Sequence, residues 1–582
     1  MRNASRKVVA NLGQHVRDLV VGRQDFDRQI EPHQDGRDLV RQRLHTDVGN
    51  AIPGLVAHAN PQLREHAEPA GLGTPQQRPG DQRLQQTMEV FANISRDGRQ
   101  SLNMFGTPLP VEPSSAIRQS TADRPSRLAW LSVLLAFLLS ALPITSSLWL
   151  DETATYWVVK DRIPDVFMRS WEWSGQSALY YLMAWASRHL APYLGLEPAL
   201  RLPSFVAMLL TAALLYRLGR YLIGPRAGAF TALAFLCIPD VSFVAIDARP
   251  YALGLALVVA SMLCFVKWLD EGRTRFAVLY AIASALVVYA HYLFALTLAA
   301  QLIYGWPRIR KLAVPWIAIG ILCMPLGGQV LHFYHARRSH SFAVTPGIES
   351  LFTAIAPPVL AAVVLLSLIL SRHTAPPDSR FPHRLIALWL LLPPAFLFVF
   401  SLATPTQLFV SRYYLDCAPA AALLAGYVID RFSARRTASI LLIVALGLAV
   451  WQARPLHGKQ DWRGAMQFVK AQLSPDDVLL VTSGFVEGTP EAIHDPGLRE
   501  VLYAPQLAYP IEHMIRLPYG FDQTAIPADL TRYRRVFLVT VQTTLVALQA
   551  SVQYNDRVQQ NLPGYTAHPA GFGSISVVRF DK

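Results

Sequence analysis

Two adjacent carboxylates, Asp151 and Glu152, close a long apolar stretch, Leu128 to Leu150, in the segment LWLDETATYWVV. A carboxylate can take a proton from an attacking hydroxyl, and a pair of them is the beginning of a divalent-cation site. At the mouth of a membrane span such a pair is a poor anchor, so its position points to chemistry.

The chain that positions this pair is built for a bilayer. It has 582 residues, 52% of them hydrophobic and only 16% charged, a balance that fits a polytopic membrane protein far better than a soluble enzyme of this length. Beyond the first span, apolar runs occupy approximately Leu202 to Leu222, Ala227 to Ala245, Tyr251 to Leu269, Phe276 to Ala290, Tyr292 to Trp306 and Leu312 to Leu331. They continue with Leu351 to Leu370, Leu385 to Thr404, Leu408 to Ile429 and Ala438 to Trp451. The expectation is an all-α polytopic membrane protein of about 11 transmembrane helices, several of them shorter than the roughly 20 residues that cross a bilayer upright.

Basic residues gather in every second loop: Arg217, Arg220 and Arg226; Lys267, Arg273 and Arg275; Arg308, Arg310 and Lys311; Arg372, Arg380 and Arg384; Arg431, Arg435 and Arg436. The positive-inside rule makes those loops cytoplasmic. The opposite loops then face outward, and they carry Asp151, Glu152, Asp247 to Tyr251, His291, His332 to His340, Arg412 and Tyr413. This register holds if Ser177 to Leu196 lies in the outer interface and does not cross, a depth that suits its aromatics and the preceding Trp171 and Trp173.

Residues 1 to 127 are dense in Arg, Gln, Asp, His and Pro and contain no apolar run long enough for a core. They read as a disordered cytoplasmic tail or as the product of a start codon called too early, with translation beginning near Met88 or Met104. The stretch 128–453 is expected to form the transmembrane domain that carries the catalytic candidates. After Trp451 the composition shifts, and 454–582 is expected to form a small extracytoplasmic α/β domain, with an amphipathic helix and a buried strand in DWRGAMQFVKAQLSPDDVLLVTSG and strands at Val536 to Val541 and Ile575 to Phe580. It holds no nucleophile elbow, phosphate loop or dinucleotide fingerprint, and reads as an accessory or acceptor-binding module. Cys237, Cys264, Cys323 and Cys417 have neither metal nor disulfide spacing and are small core residues. The net charge of +13 resides in the inner loops, so nucleic acid is not an expected partner.

Taken in order, the Asp-Glu pair, the LYY helix, RLPSFVAMLLTAALLYRLGRYLIGPRAGAFTALAFLCIPDVSFVAIDARPYAL, YAHYLFAL and SRYYLDCAPAAALLAGY resemble bacterial integral-membrane glycosyltransferases of the GT-C fold. These are relatives of protein O-mannosyltransferases (glycosyltransferase family 39) and of aminoarabinose lipid A transferase. The resemblance spans roughly Leu128 to Trp462. It implies a multi-pass protein of the cytoplasmic membrane, with its active site and C-terminal domain outside. The implied reaction takes a sugar, hexose or pentose, from a polyprenyl-phosphate donor and delivers it to a protein, glycolipid or polysaccharide acceptor. A polytopic transporter or lipid flippase is the competing reading, and the absence of an internal repeat between the halves of the spans speaks against it.

By this resemblance Asp151 is the general base that activates the acceptor hydroxyl, and direct displacement inverts the anomeric carbon. Glu152 orients Asp151, holds a divalent cation such as Mg or Mn together with it, or faces water, because neighbours on a helix point roughly 100° apart. A phosphate leaving group calls for arginine, whose planar fork matches it. Arg201, Arg249 and Arg412 are the candidates, with Arg337 and Arg338 more simply reaching for lipid head groups. Asp247 balances Arg249, contacts the sugar or caps a helix before Pro250; Tyr251, His291, Tyr292 and Tyr413 complete the donor phosphate and sugar set. Relatives carry a basic residue and two prolines before the LYY helix, where this chain has Gly175, Gln176, Ser177, Ala178 and Leu179. That phosphate contact is missing here or supplied elsewhere.

Overall fold

The computed structural model describes residues 142–173, 177–336, 345–370, 381–496 and 500–582. Residues 1–127, most of the first apolar stretch, Gln176, Arg337 and Arg338 lie outside the described residues.

Three short helices lead in: α1 Leu150–Val159, α2 Ile163–Glu172 and α3 Ala178–Arg188. The long helices follow: α4 Leu196–Leu222, α5 Pro225–Leu236, α6 Tyr251–Glu271, α7 Thr274–Ala290, α8 Ala295–Gly305, α9 Ile309–Cys323 and α10 Gly327–Ala336. After them come α11 Ile348–Ile355, α12 Pro358–Ile369, α13 His383–Ala403, α14 Ala418–Phe432 and α15 Arg435–Gly458. At about 1.5 Å per residue, α3 is far too short to cross the roughly 30 Å hydrocarbon layer.

Only four helical runs among the described residues are long and apolar enough to span a membrane: Leu196–Leu222, Tyr251–Glu271, Tyr292–His335 and His383–Ala403. A fifth is reached if α11 and α12, bent by 61° at their junction, count as one. The expected number of about 11 is therefore not what helix lengths support, and the causes are local. The Ala227 to Ala245 run breaks at Pro239, where a separate helix Pro239–Val244 begins. Leu351 to Leu370 bends at Pro357 and Pro358. Two runs expected to be separate, Tyr292 to Trp306 and Leu312 to Leu331, lie in one helical stretch. The run from Leu408 opens with two 3₁₀ turns, so its α-helix starts only at Ala418.

Close helix packing depends on small residues. A Cβ on Gly228 would lie 2.7 Å from the Tyr216 carbonyl oxygen, and one on Gly426 would lie 2.2 Å from Thr231 Oγ1. The α4, α5 and α14 backbones thus approach where a side chain has been dispensed with.

The C-terminal part opens with the amphipathic helix α16, Trp462–Lys470, capped by Asp461, whose carboxylate accepts from the Gly464 amide at 2.9 Å. Five strands follow in the spatial order β2-β1-β3-β5-β4: β1 Val478–Thr482, β2 Met514–Leu517, β3 Arg535–Val541, β4 Thr566–Phe572 and β5 Ile575–Asp581. β1 lies parallel to both β2 and β3, while β3, β5 and β4 pair antiparallel, with helix α17, Leu545–Gln560, bridging β3 to β4. Every residue of β1 is buried, as a central strand requires. This sheet does not enclose a core of its own on the α1 side. A single apolar cluster runs from Leu148, Trp157 and Tyr181 through to Val481, Phe485 and Ile575. The expected small independent domain is thus packed into the same core as α1.

Candidate active site

α1 carries both carboxylates in its first turn, in regular helix, so the two side chains diverge. Glu152 turns inward and is fully buried. Its Oε2 accepts from the Trp149 amide at 3.2 Å, the returning half of a capping box, and its Oε1 accepts from the Ala248 amide at 2.8 Å. Arg201 of α4, equally buried, donates to it twice, Nε to Oε1 at 2.7 Å and Nη2 to Oε2 at 2.5 Å. The same guanidinium also donates to the carbonyls of Ile144 (2.8 Å), Ser146 (2.8 Å) and Ser147 (3.1 Å). One ion pair thereby ties the segment ahead of α1, α4 and the 247–249 loop together.

This corrects two expectations. Glu152 does not face substrate or water, and Arg201 does not reach toward a donor phosphate; each satisfies the other. A divalent cation does not fit the pair either, because both Glu152 oxygens are already held by N–H donors. No group of three or more His, Cys, Asp or Glu side chains among the described residues is arranged to hold a metal ion.

Asp151, on the other side of α1, is partly exposed, and its Oδ2 lies 3.6 Å from Arg412 Nη2. Arg412 rests over the rings of Trp149 and Tyr413, with 5.7 and 5.5 Å to their centroids, which fixes a long side chain and leaves its charge toward Asp151. The backbone around it is tied at both ends. Ser411 Oγ donates to Asp240 at 3.2 Å; Asp416 accepts from Thr297 Oγ1 at 2.7 Å and its carbonyl from Trp389 Nε1 at 2.7 Å.

Arg249 donates to the Tyr181 hydroxyl at 3.3 Å, and its carbonyl accepts from Ser204. Asp247, two residues earlier, is fully buried and takes its hydrogen bond from Trp149 Nε1 at 3.0 Å; it attracts Arg249 through space, and the next helix has no side-chain cap. Burial, reinforced by the Glu152 charge, raises its pKa and favours the neutral acid. Its Oδ2 has no hydrogen-bond partner among the described residues.

His291 forms the aromatic wall of the site, with ring centroids 5.3 Å from Tyr251, 4.5 Å from Phe294 and 5.8 Å from Tyr413. Burial, aided by the cations of Arg249 and Arg412, pushes its pKa down to about 3, so the ring is neutral. Tyr292 departs from the set. Its hydroxyl donates to Gln329 at 2.7 Å, and Gln329 in turn donates to the Ser170 carbonyl on α2.

The structure thus brings together Asp151, Arg249, Tyr251, His291, Arg412 and Tyr413, sets Asp247 and the Glu152–Arg201 pair behind them, and turns Tyr292 away. Sequence reasoning missed Trp149, which contacts both Asp247 and Arg412, and Tyr181, which binds Arg249. Each lies inside a segment already quoted, Trp149 in LWLDETATYWVV and Tyr181 in the LYY helix, and its aromatic side chain was the available signal. Charges also add up in an informative way. The Glu152–Arg201 pair cancels, and the guanidiniums of Arg249 and Arg412 stand with Asp151 at the front of the site, where they offer donors suited to an anion.

Fold and site define a helical integral-membrane protein with a carboxylate–arginine centre at its helix ends and a small C-terminal sheet. Residues 179–326 match the family described as Dolichyl-phosphate-mannose-protein mannosyltransferase, so the resemblance to membrane glycosyltransferases holds there. The matched stretch includes Arg201, Asp247, Arg249, Tyr251 and His291, but not Asp151 or Arg412. No curated protein matches the chain. Among solved structures, ArnT from Cupriavidus metallidurans bound to undecaprenyl phosphate is 14% identical with a TM-score of 0.46, covering 78% of this chain and 98% of that one. The Archaeoglobus fulgidus oligosaccharyltransferase in its apo form is 13% identical, TM-score 0.39, covering 71% and 69%. The arabinofuranosyltransferase AftD from Mycobacteria is 15% identical, TM-score 0.40, covering 78% and 41%.

Proposed function

We propose that this protein moves a sugar from a polyprenyl-phosphate carrier to an acceptor hydroxyl at the outer face of the cytoplasmic membrane, by inverting displacement. The observation that carries the reading is the placement of Asp151. Of the two carboxylates it alone is partly exposed, and it stands 3.6 Å from Arg412. The matched family, named for a lipid-phosphate sugar donor, supports the donor class.

In this mechanism Asp151 accepts the acceptor hydroxyl proton as that oxygen bonds to the anomeric carbon. The bond from that carbon to the phosphate oxygen breaks, and its electron pair leaves on the carrier phosphate. Arg412 and Arg249 neutralise the charge that develops there. His291, kept neutral, adds an apolar ring for the sugar face without competing for the phosphate. The products are the glycosylated acceptor and the polyprenyl phosphate, and the proton rests on Asp151.

The test is transfer of radiolabelled sugar from a panel of polyprenyl-phosphate sugars in membranes containing wild type, Asp151→Asn or Arg412→Ala at matched protein level. Transfer by the wild type, lost in Asp151→Asn and weakened by a raised donor KM in Arg412→Ala, supports the assignment. Unchanged transfer by Asp151→Asn removes it as base, and no transfer from any donor moves the function to transport or flipping.

A further inference from the structure

Side chains from the C-terminal part reach back across more than three hundred residues to hold the backbone just ahead of Asp151. The Leu150 amide donates to Gln460 Oε1 at 2.9 Å, and the Leu148 amide donates to the Tyr509 hydroxyl at 2.9 Å. The Arg463 amide donates to Ser147 Oγ at 3.0 Å. Leu148 and Leu150 stand at the start of α1, where backbone N–H groups have no partner within the helix. Each of these two donors therefore has its partner in the C-terminal part.

The grip has a second anchor. Tyr509 passes its own hydroxyl proton to Glu197 Oε1 at 3.0 Å, and Arg463 Nη1 donates to the same oxygen at 2.9 Å. Glu197 opens α4, the helix that also carries Arg201, so the C-terminal part is tied to both partners of the buried ion pair. Packing reinforces the hydrogen bonds. A Cβ on Gly484, two residues past β1, would lie 2.7 Å from Leu150 Cδ1, so the Leu150 side chain packs closely against the backbone there. The connections leaving β1 and β3 run in opposite directions, the place where open α/β sheets commonly seat a ligand. Here the Leu150 side chain packs beside the end of β1.

We infer that the C-terminal sheet positions the base, with Gln460 and Tyr509 as positioning residues that set the N-terminus of α1 and hence Asp151 against Arg412. The inference goes beyond a role in acceptor binding and rests on the reading of Asp151 as base. Neither side chain touches the reacting atoms. Their effect is on geometry, where a shift of about 1 Å is enough to cost orders of magnitude in rate.

Two measurements on the full-length protein in lipid nanodiscs test it. In hydrogen exchange, Gln460→Ala and Tyr509→Phe raise the exchange rate across residues 147–155, and Gln460→Glu, which keeps an acceptor oxygen, returns it to the wild-type value. In transfer assays the first two variants lower kcat about tenfold with donor KM within about twofold of wild type, the size expected when one oriented hydrogen bond is lost. Gln460→Glu recovers most of that loss, and His568→Ala on the far strand β4 changes nothing. Exchange that does not change in Gln460→Ala and Tyr509→Phe overturns the inference whatever the activity. Wild-type transfer with unaltered kcat in both variants overturns it while leaving Asp151 in place. Altered exchange in the two variants, beside a wild type that transfers nothing, supports the positioning and sinks the glycosyltransferase reading.

Discussion

Replacing Glu152 by Gln separates a structural carboxylate from a catalytic one. The substitution keeps shape and volume but removes the charge opposite Arg201, and both side chains are fully shielded from solvent. It also sets an amide NH₂ against N–H donors that now share two carboxylate oxygens: the Trp149 and Ala248 amides and the Arg201 fork. Removing one partner of a buried pair costs about 3–5 kcal/mol, mostly because the other charge stays buried without compensation. Arg201 retains the carbonyls of Ile144, Ser146 and Ser147, whose dipoles still solvate it, so the expected loss lies at the low end, about 3 kcal/mol. That is roughly a 150-fold change in the folding equilibrium. The assay is denaturant unfolding of the purified protein in detergent, followed by tryptophan fluorescence, alongside transfer measured per folded molecule. Adding Arg201→Met to Glu152→Gln removes the stranded cation, so the double variant loses less than the two single losses combined, by about 1–3 kcal/mol. The reasoning fails if Glu152→Gln leaves stability within about 0.5 kcal/mol of wild type yet abolishes kcat, because Glu152 would then act on the substrate.

Acid sensitivity has an identifiable source in His291. Its pKa is lowered from 6.5 to about 3, so the folded protein keeps it neutral while the unfolded chain protonates it. Stability is therefore undiminished above about pH 6.5 and is lost as the pH falls from there toward 3, by about 2 kcal/mol down to pH 5. His291→Phe removes that share of the loss, read as the difference in unfolding free energy between pH 7 and pH 5; an equal loss in the variant contradicts the assignment. At the helix crossing, Gly426→Val forces a side chain to within 2.2 Å of Thr231 Oγ1 and 2.9 Å of the Thr231 backbone nitrogen. A destabilisation of about 1–3 kcal/mol is expected, and a thermal midpoint equal to wild type would show that α5 and α14 do not pack this closely.

Much of the site was legible because its residues lie in short motifs at helix ends. Asp151, Arg249, Tyr251, His291, Arg412 and Tyr413 were all reached from type and place, and they do converge. Glu152 and Arg201 were misread because a fully buried ion pair and a solvent-facing one have the same letters; only burial separates them. For Asp247 a balance with Arg249, a sugar contact and a helix cap were all open, whereas its hydrogen-bond partner is Trp149, 98 residues earlier. Asp416 lay inside the quoted SRYYLDCAP segment without being singled out, and its contacts with Thr297 and Trp389 are matters of helix packing. Gln460 and Tyr509 gave no signal, since nothing local marks a residue whose partner is more than three hundred positions away. The span count failed for a different reason. Hydropathy registers how apolar a run is, but not whether Pro239, or Pro357 with Pro358, breaks its helix before it reaches across a bilayer.

β5 lies inside the sheet, between β3 and β4, although it follows both in the chain. The backbone partners of Leu148 and Leu150 lie 361 and 310 residues downstream of them. During synthesis Asp151 therefore emerges long before the side chains that hold the start of its helix. Contacts of such separation form late and slowly. Until then the start of α1 waits with open amides, and a chain that stops between Arg412 and Gln460 holds the charged residues of the site without the side chains that hold that helix start. The hold on the start of α1 is completed only by residues 460–509.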